Sequence, residues 1–317
     1  MTQSLALVFP GQGSQQVGMM RELAERYSVV RTTFEEASDA LGYDLWHVVQ
    51  EGPAEALDAT ACTQPALLTA SVAIWRVWQE LEGPRPGIMA GHSLGEYSAM
   101  VCAGVLPFAE GVRLVKLRGE AMQNAVPAGT GAMAAILGLA DDAVEQACRE
   151  AAQGEVVAAV NYNAPGQVVI AGGKAAVERA IALCQQAGAK RALPLPVSVP
   201  SHCDLMRPAA DRLASAMSAI EMRPPRYTVV QNVDAQAHAD VDTLRTRLVE
   251  QLYQPVRWTS CVEAMTDQGA EVFIECGPGK VLTGLGKRIN RSIKGLAVND
   301  PDSLESALEL ARGAATE

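Results

Sequence analysis

The first apolar positions of the chain form an unbroken run over residues 5–9 (LALVF), which stops at the turn-forming stretch PGQGSQ. A short continuous apolar run closed by Pro and Gly predicts a strand buried on both faces that empties into a loop. Apolar residues then recur at helical spacing, most densely over 64–82 (QPALLTASVAIWRVWQELE), before a second short strand expected at 88–90. Two helices are predicted in EYSAMVCAGVL and FAEGVRLVKLRGEAMQNAV, with Pro107 set for the first turn of the second. Strands alternating with helices indicate an α/β core.

The rhythm changes between residues 126 and 198. GAMAAILGL reads as a strand, DDAVEQACREAA as a helix, VVAAVNY and QVVIAGG as strands around NAPG, KAAVERAIALCQQAG as a helix and AKRALPLPVS as a last strand. The order βαββαβ is the ferredoxin-like pattern. Residues 126–198 are therefore expected to form a small inserted domain, and 1–125 with 199–317 a discontinuous large α/β domain. Two further strands are expected in YTVVQNV and EVFIECG. A cleft between the two domains is the natural place for a ligand.

Composition narrows the function classes. A net charge of −10 with only 4% aromatic residues argues against basic grooves and stacking platforms for nucleic acid. The seven cysteines form no C-x-x-C pair and are odd in number, so neither a disulfide framework nor a cysteine metal site is expected. The run over 5–9 is too short for a signal peptide or membrane span. A cytoplasmic location, no membrane partner and no metal are the corresponding expectations.

The candidate chemistry centres on GHSLGEY at 91–97. A strand, a G-x-S-x-G turn and a helix make the context of a nucleophile elbow. Gly91 and Gly95 leave room for a sharp turn, and the following helix points its N-terminal N–H groups at Ser93. Leu94 is the natural first oxyanion donor; the alternative is an ordinary serine in a glycine-flanked helix cap. A serine nucleophile needs a base. Of four histidines, His92 adjoins Ser93 and should point away from it, His47 sits in a helical pattern, and His238 lies in an acidic loop expected to be solvated. His202, in a proline-marked loop where the large domain resumes, is the candidate base, or else a helix-start residue with no role. Arg118 shares an i, i+4 row with Leu114 and Met122, so its guanidinium should be buried. Its anionic partner is either an internal carboxylate or a carboxylate on a substrate. No Walker A or G-x-G-x-x-G spacing is present.

These residues together resemble the malonyl-CoA:acyl carrier protein transacylase family, in the stand-alone form of bacterial type II fatty acid synthesis. The shared landmarks run in order along nearly the whole chain: FPGQGSQ at 9–15, TQPA at 63–66, GHSLGEY at 91–97, RG at 118–119, NYNAPGQVVIAG at 161–172, PSH at 200–202, QLYQPVRW at 251–258 and GPGKVLTGL at 277–285. The resemblance implies a hydrolase-like core with a ferredoxin-like insertion. It makes Ser93 the nucleophile and His202 its base, and gives Arg118 the malonyl carboxylate. Gln12 becomes the second backbone oxyanion donor beside Leu94, and Gln251 the residue whose carbonyl orients the histidine.

The implied reaction moves a malonyl group from malonyl-CoA to the phosphopantetheine thiol of acyl carrier protein, with no cofactor bound by the enzyme. Polyketide and malonate decarboxylase acyltransferases share this chemistry. A serine thioesterase would release acid to water instead, and a carrier-binding scaffold would not need Ser93. Carrier proteins are acidic, so a local basic surface is required. Residues 280–294 hold five basic and no acidic side chains. Lys287, Arg288, Arg291 and Lys294, at near-helical spacing and joined by Lys190 and Arg191, form either a docking stripe or a solvated helix face. Ser201, where malonyl-selective polyketide enzymes often have Phe, leaves the α-substituent of the acyl group open. A monomer is expected.

Overall fold

The computed structural model describes residues 2–197 and 199–316. The first strand, β1 (Thr2–Phe9), lies at the centre of the larger sheet, and residues 5–9 are buried on both faces, as their unbroken apolar run predicts. Five helices follow: α1 (Arg21–Arg26), α2 (Ser28–Leu41), α3 (Leu45–Glu51), α4 (Ala54–Asp58) and α5 (Thr60–Glu80). Helix α5 is apolar around most of its circumference and is correspondingly buried along most of its length. Then β2 (Pro86–Gly91) pairs in parallel with β1, and α6 (Leu94–Cys102) and α7 (Phe108–Gln123) complete the first segment. The register Val8 to Ala90 and Phe9 to Gly91 brings the carboxyl ends of β1 and β2 level. The PGQGSQ loop and the serine turn therefore leave the sheet side by side, at the edge where parallel α/β sheets bind ligands.

The second sheet is made by β3 (Gly131–Leu137), β4 (Val157–Ala164), β5 (Gln167–Gly173) and β6 (Arg191–Pro194), with α8 (Asp141–Ala152) and α9 (Lys174–Gln186) between them. Its antiparallel order, β4-β5-β3-β6, is that of a ferredoxin-like unit. One face packs on α8 and α9 through Ala134, Ile136, Val168 and Ile170. The opposite face carries Met133, Val160, Val169 and Ala171, which pack with Cys203 from beyond the sheet. Strand β6 is shorter than expected: Pro194 and Pro196 end the ladder after four residues, and the expected last position, Ser198, lies outside the described residues.

After the insertion the chain makes a 3₁₀ turn at Asp204–Met206, then α10 (Arg207–Met217), β7 (Thr228–Val230), α11 (Val241–Glu250), α12 (Trp258–Asp267), β8 (Val272–Cys276), α13 (Val281–Ile289), β9 (Lys294–Val298) and α14 (Pro301–Thr316). The large sheet is wholly parallel, in the order β7-β2-β1-β8-β9. Backbone bonds Tyr162 N to Val256 O (3.0 Å) and Val256 N to Val160 O (2.9 Å) tie β4 to the returning chain.

The C-terminal region corrects two expectations. Lys287 and Arg288 end α13, Arg291 lies in the following turn and Lys294 opens β9. The basic residues are exposed but form a patch across three elements, because Ile293 turns inward and β9 joins the parallel sheet. His238 is half-buried rather than solvated, with Nε2 3.0 Å from Asp234 Oδ2.

Candidate active site

The turn after β2 is held by sterics and by two amides. A Cβ on Gly91 would stand 1.9 Å from the carbonyl carbon of Gly95, and one on Gly95 would stand 2.0 Å from the carbonyl oxygen of Phe9. Only glycine fits either position, and Ser93 between them is driven to φ 52°, ψ −108°. Asn232, just past β7, pins this strained residue: its Oδ1 accepts the Ser93 N–H at 2.8 Å, and its Nδ2 donates to Gly91 O at 2.8 Å.

His202 meets Ser93 from the returning loop, also at positive φ (65°), with its N–H bonded to Leu252 O at 3.0 Å. Its Nε2 lies 2.8 Å from Ser93 Oγ, and its Nδ1 lies 2.6 Å from the carbonyl oxygen of Gln251. A carbonyl only accepts, so Nδ1 carries the proton and Nε2 is left to accept the serine hydroxyl. Burial, reinforced by the Arg118 charge, pushes the imidazole pKa down to about 3. The ring is therefore neutral at physiological pH.

Arg118, on α7, is 1% exposed. Its Nη1 donates to Gln64 Oε1 at 2.9 Å; its Nη2 donates to Gln251 Oε1 at 3.0 Å and to Ser93 Oγ at 3.2 Å. The Tyr97 ring lies 5.2 Å from the guanidinium carbon, and Nε has no protein partner. All the direct partners are neutral. Of the two sources of negative charge that the sequence left open, an internal carboxylate in contact with Arg118 is absent among the described residues.

Gln12, Leu94, Ser93, Arg118 and His202 line one cavity of about 360 Å³, bounded on the other side by Met133, Val169 and Leu195 of the small-sheet region. His92 also lines it, bonded through Nε2 to Asn163 Oδ1 at 2.7 Å and held below its ordinary pKa by burial. Lys287, Arg288, Arg291 and Lys294 are not among the lining residues. Within the described residues no cluster of His, Cys, Asp or Glu could hold a metal ion, all seven cysteines are free, and no helix is long and apolar enough to cross a membrane.

A strained serine touching both a neutral histidine and a buried arginine suits acyl transfer of a carboxylated group. The family model described as "Acyl transferase domain" matches residues 6–307. Malonyl CoA-acyl carrier protein transacylase of Escherichia coli (strain K12) is 61% identical over 310 residues, covering 98% of this chain and all of that protein. The chain belongs to this family of transacylases. The structure of an acyl carrier protein S-malonyltransferase from Vibrio cholerae superposes with a TM-score of 0.95 at 63% identity, covering 96% of this chain and 99% of the other. A malonyl-transacylase in complex with its type II PKS acyl-carrier protein gives 0.96 at 60% identity, covering 97% and 99%. The fold is accordingly a hydrolase-like α/β core with a small inserted domain, and the enzyme is an acyltransferase.

Several residues of the site were not singled out from the sequence, although Gln64 lies in TQPA and Glu96 in GHSLGEY. Gln64, Glu96, Gln231 and Asn232 are fully or almost fully buried polar groups. Their signal in the sequence is weak but physical: a single amide or carboxylate inside an otherwise apolar helix, as in QPALLTA and GEYSAMV, or directly after a buried strand, as in TVVQN.

Proposed function

We propose that the enzyme transfers malonyl from malonyl-CoA to the phosphopantetheine thiol of acyl carrier protein through a malonyl-Ser93 ester. One observation carries this reading: Ser93 Oγ lies within hydrogen-bond reach of both His202 Nε2 and Arg118 Nη2. Nucleophile, base and a cation for the substrate carboxylate thus meet at one atom.

In the first half-reaction His202 Nε2 takes the serine proton as Oγ attacks the thioester carbonyl. The oxyanion is received by the backbone N–H groups of Leu94, at the start of α6, and of Gln12. The C–S bond then breaks, the imidazolium returns its proton to the leaving thiolate, and coenzyme A departs. In the second half the carrier thiol gives its proton to His202 and its sulfur attacks the ester carbonyl; the C–O bond to Ser93 breaks, and the imidazolium returns the proton to Ser93 Oγ. Arg118 pairs with the malonyl carboxylate throughout, exchanging its Ser93 contact for the substrate. No step needs a metal or redox cofactor.

The acidic carrier docks on the patch of Lys287, Arg288, Arg291 and Lys294, in which Arg288 also donates to Gln167 Oε1 at 2.7 Å in β5. The enzyme works as a cytoplasmic monomer. Intact mass after brief mixing with malonyl-CoA tests the chemistry. The malonyl adduct should form on the wild type, vanish in Ser93→Ala and weaken in Arg118→Ala. Free malonate without an adduct would point to a thioesterase, and neither adduct nor turnover to a scaffold.

A further inference from the structure

We propose that Glu96 is a positioning residue that orients the base and the carboxylate-binding cation together, by fixing the amide of Gln251. The inference rests on the roles proposed above for Ser93, His202 and Arg118. Glu96 is fully buried on α6, one turn past the nucleophile, and among the described residues its hydrogen-bond partners are all neutral amides. Its Oε1 accepts from Gln231 Nε2 at 3.0 Å; its Oε2 accepts from the Asn232 N–H at 2.9 Å and from Gln251 Nε2 at 2.8 Å.

The last contact decides the geometry. A glutamine amide has nearly the same shape in either orientation, so only its partners choose which end is which. Gln251 Nε2 faces three acceptors: Glu96 Oε2, Ser93 O at 2.9 Å and Asn232 Oδ1 at 3.3 Å. Its Oε1 is thereby turned to Arg118 Nη2. A flipped amide would set its oxygen against a carboxylate and its NH₂ against a guanidinium. The main-chain carbonyl of the same residue holds His202 Nδ1. One carboxylate therefore locks the residue that locates both halves of the site, and through the Asn232 N–H it also steadies the amide that pins Ser93.

The charge state is secondary to this role. Burial raises the Glu96 carboxyl to about 7, against the hydrogen bonds from Gln231, Asn232 and Gln251 and the Arg118 charge; Tyr97 and Cys261 are the other titratable groups coupled to it. Glu96→Gln can keep its oxygen toward Asn232 and Gln251 while its NH₂ faces Gln231, whose unpartnered Oε1 can turn to accept. Glu96→Ala removes the shortest of the three contacts to Gln251 Nε2 and the only charged acceptor among them, leaving Ser93 O and Asn232 Oδ1.

The test compares Glu96→Gln, Glu96→Ala, Gln251→Ala and the Glu96→Ala/Gln251→Ala double variant in single-turnover acylation by malonyl and acetyl thioesters. Ser93→Ala runs beside them to check the underlying reading separately. Expected are rates within about 3-fold of wild type for Glu96→Gln and a loss of about 30-fold or more for Glu96→Ala with malonyl-CoA. The loss with the acetyl thioester should be smaller, because only the His202 part applies. The double variant should be no slower than the slower single variant. Equal losses for both thioesters, or losses that multiply in the double variant, would overturn the proposal. If Glu96→Ala fails to fold, a loss above 30-fold in soluble Glu96→Gln overturns it as well.

Discussion

Replacing Arg118 separates a substrate clamp from a structural cation. The guanidinium is 1% exposed, and its Nη2 reaches the nucleophile at 3.2 Å, so a carboxylate on the acyl group would meet it away from water. Each charge-assisted hydrogen bond of such a pair contributes about 1.5–3 kcal/mol, and a two-bond contact about 3–6 kcal/mol. Arg118→Ala should then lower kcat/KM for malonyl-CoA by about a hundredfold to ten-thousandfold. An acetyl thioester has nothing for the arginine to bind, and its slower reaction should change by no more than about 5-fold, the worth of a single weak contact to Ser93. Arg118→Lys, a point charge without the planar fork, should recover only about a tenth of the malonyl rate. Quenched-flow intact mass of the acyl-enzyme reads both substrates in one experiment, and circular dichroism melting checks that the variants fold. If Arg118→Ala slows malonyl and acetyl transfer equally, the arginine supports the site without recognising the carboxylate, and the reasoning fails.

Three further outcomes follow from the geometry. Because burial and Arg118 hold His202 near 3 rather than the ordinary 6.5, its neutral, base-competent form persists as pH falls through 6.5, and acylation rates between pH 8 and 5 should show no histidine limb; a limb at 6–7 that survives in Glu96→Gln would contradict this. Gly95→Ala places a methyl 2.0 Å from Phe9 O, and denaturant unfolding should show a loss of about 3 kcal/mol or more together with loss of acylation. Charge reversal at Lys287 and Arg291 should raise the carrier KM about 10-fold while leaving acylation by malonyl-CoA unchanged; an unchanged carrier KM would move the docking surface elsewhere.

The elements legible in the sequence were those whose local pattern agrees with their surroundings. The run over 5–9 became the central strand, the βαββαβ rhythm became the antiparallel sheet, and the glycines around Ser93 announced the turn that their contacts require. Arg118 was visible as a charge on an apolar helical row. Strand β9 was not, because KGLAV carries a lysine and a glycine and takes its identity from pairing with β8. The basic residues looked helical for the same reason: spacing was read across a turn that only Ile293 and the sheet define. Asn232 stands 139 residues from Ser93, and Glu96, although one turn past Ser93, takes its role from partners far along the chain, Gln231, Asn232 and Gln251, through tertiary hydrogen bonds that no periodicity encodes.

The third member of the Ser93–His202 arrangement is a main-chain carbonyl, that of Gln251. Every amino acid supplies that atom, so no codon change at position 251 can delete it. In genetic terms the acceptor atom survives every substitution at 251, and such a substitution reaches His202 only through the backbone position that the amide helps to fix. An inhibitor that depends on the imidazole being held in place would accordingly find few single-step escape routes through its support. Escape would have to shift the backbone itself, at the end of α11, where Leu252 also grips the His202 N–H.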